Sequence, residues 1–154
     1  MELIRNNIFE TNSSSTHCIV LVSKDEYEKF KNNELYLDLD KDTLVDPKTK
    51  ERTEKEVVFI NTKLNFDWNK KTVAYKDQIV PYDNYREVLL TDDNLASITE
   101  DDIKQYHEDN GCDSDIPISF SDFDAYINDC DYYPFTEVND SIDAVAFGYY
   151  GNNY

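Results

Sequence analysis

The 154-residue chain carries 33 Asp and Glu against 15 Lys and Arg, a formal charge of −18 at neutral pH. Anionic membrane surfaces and naked nucleic acid are therefore repelled, not bound. Hydrophobic residues make up 40% and aromatic residues 14%, which supplies a core and argues against an acidic disordered tail. Three glycines and four prolines are too few for a turn-rich sandwich or barrel. The length fits one domain, 1–154. No apolar run follows a basic start, and none approaches the roughly 18 residues that span a bilayer, so neither a leader nor a membrane span is expected. Cys18, Cys112 and Cys130 are odd in number at unrelated spacings, as expected of reduced thiols in a cytoplasmic protein.

In chain order, Glu2–Phe9 alternates loosely as a short strand and Glu10–Ser15 is a small, polar loop. Thr16–Val22 is β-branched and apolar over strand length, so a buried strand is predicted. Ser23 with Glu26 forms a capping box for a short helix whose apolar stripe is Tyr27 and Phe30. Leu35–Leu39 alternates as a strand, and the mixed-charge Lys41–Lys55, containing Pro47, reads as a loop or hairpin excursion. Val57–Ile60 and Thr72–Tyr75 read as short strands; Tyr82–Leu90 is helix or strand. Thr99 with Asp102 starts a helix running to Asn110, with Gly111 past its end. Ser121 with Asp124 caps another, carrying Phe123, Tyr126 and Ile127 on one face, and Ile142–Tyr149 ends the fold as a strand. The expected class is α+β, a mainly antiparallel sheet with two or three short helices.

The charge is not spread evenly. Residues 1–90 sum to −3 and residues 91–154 to −15, with no Lys or Arg after Lys104. Eleven acidic and eleven aromatic residues share that last stretch. Asp38/Asp40, Asp113/Asp115, Asp122/Asp124 and Asp129/Asp131 are each two apart. On a strand that spacing puts two carboxylates on one face about 6.6 Å apart, the scale of successive phosphates; on a helix it points them apart. Tyrosines among the acids add contact area of the kind interfaces favour. The candidate partner-binding residues are Asp113, Asp115, Asp122, Asp124, Asp129 and Asp131, with Tyr132 and Tyr133 as anchors. Phe120, Phe123 and Phe147 are expected in the core, whereas Tyr149, Tyr150 and Tyr154 suit either core or surface.

Two other constellations compete. Asp109–Asp115 is oxygen-rich and holds Gly111, but it lacks the residue order of an EF-hand loop, and the two histidines and three cysteines have no ligand spacing, so no metal or cofactor is expected. Glu10, Asn12, Ser13–Ser15, His17 and Cys18 hold the residue types of a nucleophile site. Adjacent His17 and Cys18 face opposite ways on a strand, so a dyad would need a partner such as His107. The alternative is a polar loop feeding a buried strand, with Cys18 a small core residue.

The opening Arg5-x-x-x-Phe9-Glu10-Thr11-Asn12-Ser13-Ser14-Ser15-Thr16-His17 resembles the start of small proteins from phages and mobile elements of low-GC Gram-positive bacteria. That match covers about twenty residues and implies ancestry, not activity. Size and acidity are similar to phage counter-defence proteins, including anti-restriction DNA mimics and anti-CRISPR inhibitors, although a near-neutral first half departs from the uniformly acidic mimics. The reading that follows is an inhibitor presenting an acidic surface to the basic groove of a host nucleic-acid-binding enzyme, a CRISPR effector nuclease first and a restriction complex second. An enzyme using the N-terminal Ser-rich segment, or an oligomeric sequestering protein, are the alternatives. No direct nucleic-acid contact is expected, and the oligomeric state is open.

Overall fold

The computed structural model describes residues 17–111 and 113–151. In chain order the strands are β1 (His17–Ser23), β2 (Tyr36–Asp38), β3 (Thr43–Val45), β4 (Asn65–Asp67), β5 (Thr72–Tyr75), β6 (Gln78–Pro81), β7 (Tyr133–Asn139) and β8 (Ala144–Tyr150). The helices are α1 (Lys24–Lys31), α2 (Pro47–Thr62), α3 (Tyr85–Leu89), α4 (Asp92–Ala96), α5 (Glu100–Asn110) and α6 (Phe120–Asp129), with a 3-10 turn at Tyr82–Asn84. The fold is α+β and all three sheets are antiparallel, as the sequence suggests; helices number six among the described residues where two or three are expected. No described helix is long and apolar enough to cross a membrane. The chain divides into two compact units, residues 1–50 with 117–154, and residues 51–116.

The first unit is built on the sheet β1–β8–β7. Its register sets Cys18 beside Tyr149, Val20 beside Phe147 and Val22 beside Val145. Period-two alternation therefore turns one row of β1 and one row of β8 inward together. These meet Phe30 of α1, Leu37 of β2 and Phe123 and Ile127 of α6 in one core. Phe147 stacks on Phe30 at 5.3 Å between ring centroids and receives Phe123 edge-on at 6.0 Å. Each such ring contributes about 1.5–3 kcal/mol through burial alone. The capping box at Ser23 and Glu26 is present, so α1 starts where the sequence marks it.

Two expectations in this unit need correction. Helix α6 is capped by Ser119, whose hydroxyl accepts from the Asp122 N–H, not by Ser121. The reason is tertiary: Ile118 exchanges backbone hydrogen bonds with Leu37, which holds the chain extended up to Ser119 and lets Phe120 enter the first turn against Phe30. Strand β7 has no counterpart in the sequence reading. It is mostly exposed and contains Pro134, features of an edge strand whose pairing comes from its neighbour β8 and not from its own apolar pattern.

The second unit packs α2 and the meander β4–β5–β6 with the short helices around Val58, Phe59, Val73 and Leu89. Helix α2 overturns two readings at once, the loop at Lys41–Lys55 and the strand at Val57–Ile60. Pro47 is its first residue, where the missing N–H costs nothing, and Asp46 accepts from the Thr49 N–H at 2.7 Å. The mixed charges that suggested a loop form i,i+4 pairs along the helix, Glu51 with Lys55 and Arg52 with Glu56. Val57, Val58 and Phe59 are buried in succession, a pattern that is the same for a core strand and a helix covered on a wide face. Within Lys41–Lys55, β3 precedes this helix. Tyr82–Leu90 resolves as helical, and the strand at Thr72–Tyr75 is the centre of the meander. Thr99 and Asp102 form their capping box, and Gly111 follows α5 at φ 69°.

Candidate functional site

The paired aspartates are best understood one at a time. None of the four pairs lies within a strand, so the phosphate-like spacing of about 6.6 Å is not the geometry they adopt. In Asp38/Asp40 and Asp113/Asp115 the first carboxylate accepts from the backbone N–H of the second, at 3.0 and 2.9 Å. That is turn chemistry, a short side chain replacing a backbone acceptor two residues on. Asp122 and Asp124 belong to α6, where the same spacing points them apart. Asp129 ends α6, and Asp131 follows it in the left-handed region at φ 56°.

The partner-binding candidates fall in both units. Asp113 and Asp115 lie in residues 51–116; Asp122, Asp124, Asp129, Asp131, Tyr132 and Tyr133 lie in residues 117–154. Formal charge divides as −10 for the first unit and −8 for the second, so the contrast at residue 90 is not a boundary in the fold. In the second unit most acids support the structure. Asp92, Asp93, Glu100, Asp101 and Asp102 occupy first turns of α4 and α5, where carboxylates oppose the positive helix end. Asp92 also pairs with Arg52 at 2.6 Å. Half-buried Asp113 accepts from the Tyr106 hydroxyl at 2.6 Å; burial, then that bond, pushes the phenol up to about 12.

The first unit differs. Asp122, Asp124, Asp129, Asp131, Glu137, Asp140 and Asp143 are all exposed. Among the described residues only Asp140 has an ion pair, with Lys24. Asp122 sits favourably in the first turn of α6, and Asp131 and Asp143 occupy left-handed turns. Asp124, Asp129 and Glu137 have no such role. Asp129 stands in the last helical position, where a negative charge opposes the carbonyl end, and Asp124 is mid-helix, a place poor for aspartate. The carboxylates do not share one flat face. Glu137 pairs in register with Ala146, on the sheet face opposite the row of Thr136 and Phe147 that faces the core with α6.

The tyrosines separate into core and surface. Tyr132 is half-buried and stacks parallel on buried Tyr149 at 4.6 Å, with Tyr126 edge-on at 5.8 Å. Burial, and then the neighbouring Tyr126, drive the Tyr149 phenol far above its ordinary range. Tyr133 is 46% exposed and stacks on half-buried Tyr150 at 5.3 Å, which leaves a pair of rings at the sheet surface. Phe123 and Phe147 are buried as expected, and Phe120 packs against the same core. Tyr154 lies outside the described residues.

The N-terminal constellation is described only from His17 onward; Glu10, Asn12 and Ser13–Ser15 lie outside the described residues. His17 is exposed and Cys18 buried at 2%, as alternation along β1 requires. The Cys18 thiol donates to Asp42 at 3.2 Å, and burial followed by that carboxylate drives its pKa far upward. Burial and a neighbouring carboxylate both disfavour the thiolate, the form in which a cysteine is nucleophilic. His107, the suggested partner, faces Glu54 at 2.9 Å in the other unit. Among the described residues no three His, Cys, Asp or Glu side chains converge as a ligand set. Cys130 is free and exposed.

No family model, curated protein or solved structure matches the chain.

Two features escape sequence reading. One is a cleft of about 90 Å³ in the first unit, where Asp124 and Thr136 meet Tyr27, Phe120, Phe123 and Phe147. These residues come from four elements, three consecutive at the end of the chain and α1 about ninety residues earlier, so no local pattern announces them. The other is an aromatic ladder in the second unit. Trp68, 67% exposed, stacks on Phe66 at 5.2 Å and lies 5.4 Å from Tyr82. Its signal was present, the lone Trp in Asn65-Phe66-Asp67-Trp68-Asn69-Lys70-Lys71, but only the hairpin fold leaves the indole outside.

Proposed function

We propose that the chain is a counter-defence protein of a phage or mobile element that binds and inhibits a host nucleic-acid-binding enzyme at its basic groove. A CRISPR effector nuclease is the first candidate and a restriction complex the second. The observation that carries this reading is the placement of Asp124, Asp129 and Glu137, exposed carboxylates that neither cap, pair nor turn the chain among the described residues. Charge held where it does not help the fold is explained by a partner that uses it. The wrapped distribution of carboxylates suits a concave basic groove better than a flat basic surface. Such an interface gains association rate from steering and loses affinity as salt rises. The N-terminal resemblance to phage and mobile-element proteins supports the same origin.

The test is capture of host proteins from a lysate at low and high salt, by wild type and by an Asp124→Asn, Asp129→Asn double variant. The expected result is a nucleic-acid-binding protein retained at low salt, released at high salt, and lost about tenfold or more by the double variant. Its activity should then fall in proportion to added chain, not catalytically. Capture indifferent to salt and to both substitutions would sink the proposal.

A further inference from the structure

We infer that the cleft between α1, α6 and the β7–β8 pair is a receptor for one arginine side chain, supplied by the partner; this rests on the proposed inhibitor reading and names the contact it uses. The lining carries five aromatic residues, Tyr27, Phe120, Phe123, Phe135 and Phe147, with one hydroxyl from Thr136 and one carboxylate from Asp124. Phe123 and Phe147 are buried, whereas half-buried Tyr27 and Phe120 leave part of their ring surface exposed, and the negative face of such a ring attracts a cation. Asp124 makes no ion pair or hydrogen bond among the described residues, and no Lys or Arg is among the residues that line the cleft.

The chemistry excludes the other classes of occupant. A neutral apolar group would desolvate the Asp124 carboxylate without compensation. An anion would be repelled by it in a unit already at −10. A bare divalent ion would find one carboxylate where several oxygens are needed. At about 90 Å³ the cleft is sized for the head of one side chain, not for a nucleotide. Among cations, guanidinium is planar and weakly hydrated, stacks on rings and forks to a carboxylate, whereas an ammonium is a compact, strongly hydrated charge. Lys31 Nζ stands 5.0 Å from the centroid of the Tyr27 ring. Arginine is also the residue that basic nucleic-acid grooves present in quantity.

The experiment titrates N-acetyl-arginine amide into the full chain and follows the aromatic NMR signals of Tyr27, Phe120 and Phe147. N-acetyl-citrulline amide serves as the neutral isostere, and Asp124→Asn serves as the variant, exposed and unpaired so that its fold is retained. Saturable shifts with the arginine derivative, none with citrulline and at least tenfold weaker binding in Asp124→Asn are expected. Equal shifts from citrulline, shifts unchanged in Asp124→Asn, or no shift of these rings would overturn the inference. Target capture separates the two proposals. A basic protein captured in a salt-dependent way but equally well by Asp124→Asn rejects the cleft and keeps the inhibitor. Arginine binding with no basic protein captured keeps the cleft and rejects the inhibitor.

Discussion

Gly148 lies in the central strand of the first sheet, where glycine is normally a weakness. A Cβ built there would stand 1.9 Å from the Cys18 carbonyl oxygen, and φ is 152°, a value side chains rarely adopt. Backbone oxygen cannot step aside as a flexible side chain can. Gly148→Ala should therefore cost at least about 3 kcal/mol, from strain and from a displaced β1 together. Urea unfolding measures this; a midpoint equal to wild type would show that β1 shifts freely. The scarcity of glycine elsewhere has its own explanation. Three hairpins, β2–β3, β4–β5 and β7–β8, turn through the same device. Asp38, Asp67 or Asn139 accepts from the backbone two residues on, and Asp42, Lys71 or Asp143 takes the left-handed position at φ 50–54°. Aspartate and asparagine are tolerated there because a short polar side chain can bond locally. Part of the acidic composition is thus turn chemistry, a cause that counting charges does not separate from electrostatic function.

Helix α6 is where structural and functional roles of aspartate meet. Its end closes with Tyr132 N–H on Ile127 O at 3.0 Å and Asp131 N–H on Asn128 O at 3.2 Å, the pattern that wants glycine at position 131. Most side chains cost about 1–2 kcal/mol in the left-handed region, with aspartate at the low end, and glycine costs about 0.4–1 kcal/mol more chain entropy on folding. The difference favours Asp131→Gly by about 0.5 kcal/mol. If the Asp131 carboxylate is also a partner contact, the same variant loses affinity for the captured target while gaining stability. Thermal unfolding and target binding measured on one sample check both; a destabilised variant would refute the capping argument. The start of α1 and both ends of α5 are legible from Ser23, Glu26, Thr99, Asp102 and Gly111, because caps are local hydrogen bonds. The start of α6 was not, because Leu37 decides it from across the chain.

For the whole molecule the question is whether −18 stabilises or strains the fold. Among the described residues the ion pairs are mostly exposed and mostly between helical neighbours, and such pairs contribute about 0–1 kcal/mol each. Unpaired carboxylates repel over distances comparable with the molecule at low ionic strength. Raising salt from roughly 10 mM to 150 mM shortens the screening length from about 30 to 8 Å, so thermal stability should increase by a few degrees. A melting temperature that falls instead would mean that attractive pairs outweigh repulsion, and the excess charge would then need no partner to explain it. Calorimetry at two salt concentrations decides the sign.

The amino-acid sequence determined what depends on near neighbours: the strand at β1, although only Cys18 and Val20 of it are buried, the caps that start α1 and α5, the α+β class and the burial of Phe123 and Phe147. Hydrogen bonds over three or four residues and apolar alternation are written locally, and so they are legible. What tertiary structure decided is where the same residue types serve different ends. Whether Val57–Phe59 is helix or strand, whether Tyr132 packs or projects, and that Asp124 shares a cleft with Tyr27 and Phe147 are set by packing between different elements. A carboxylate's role is fixed by what stands beside it, and only folding brings those neighbours there.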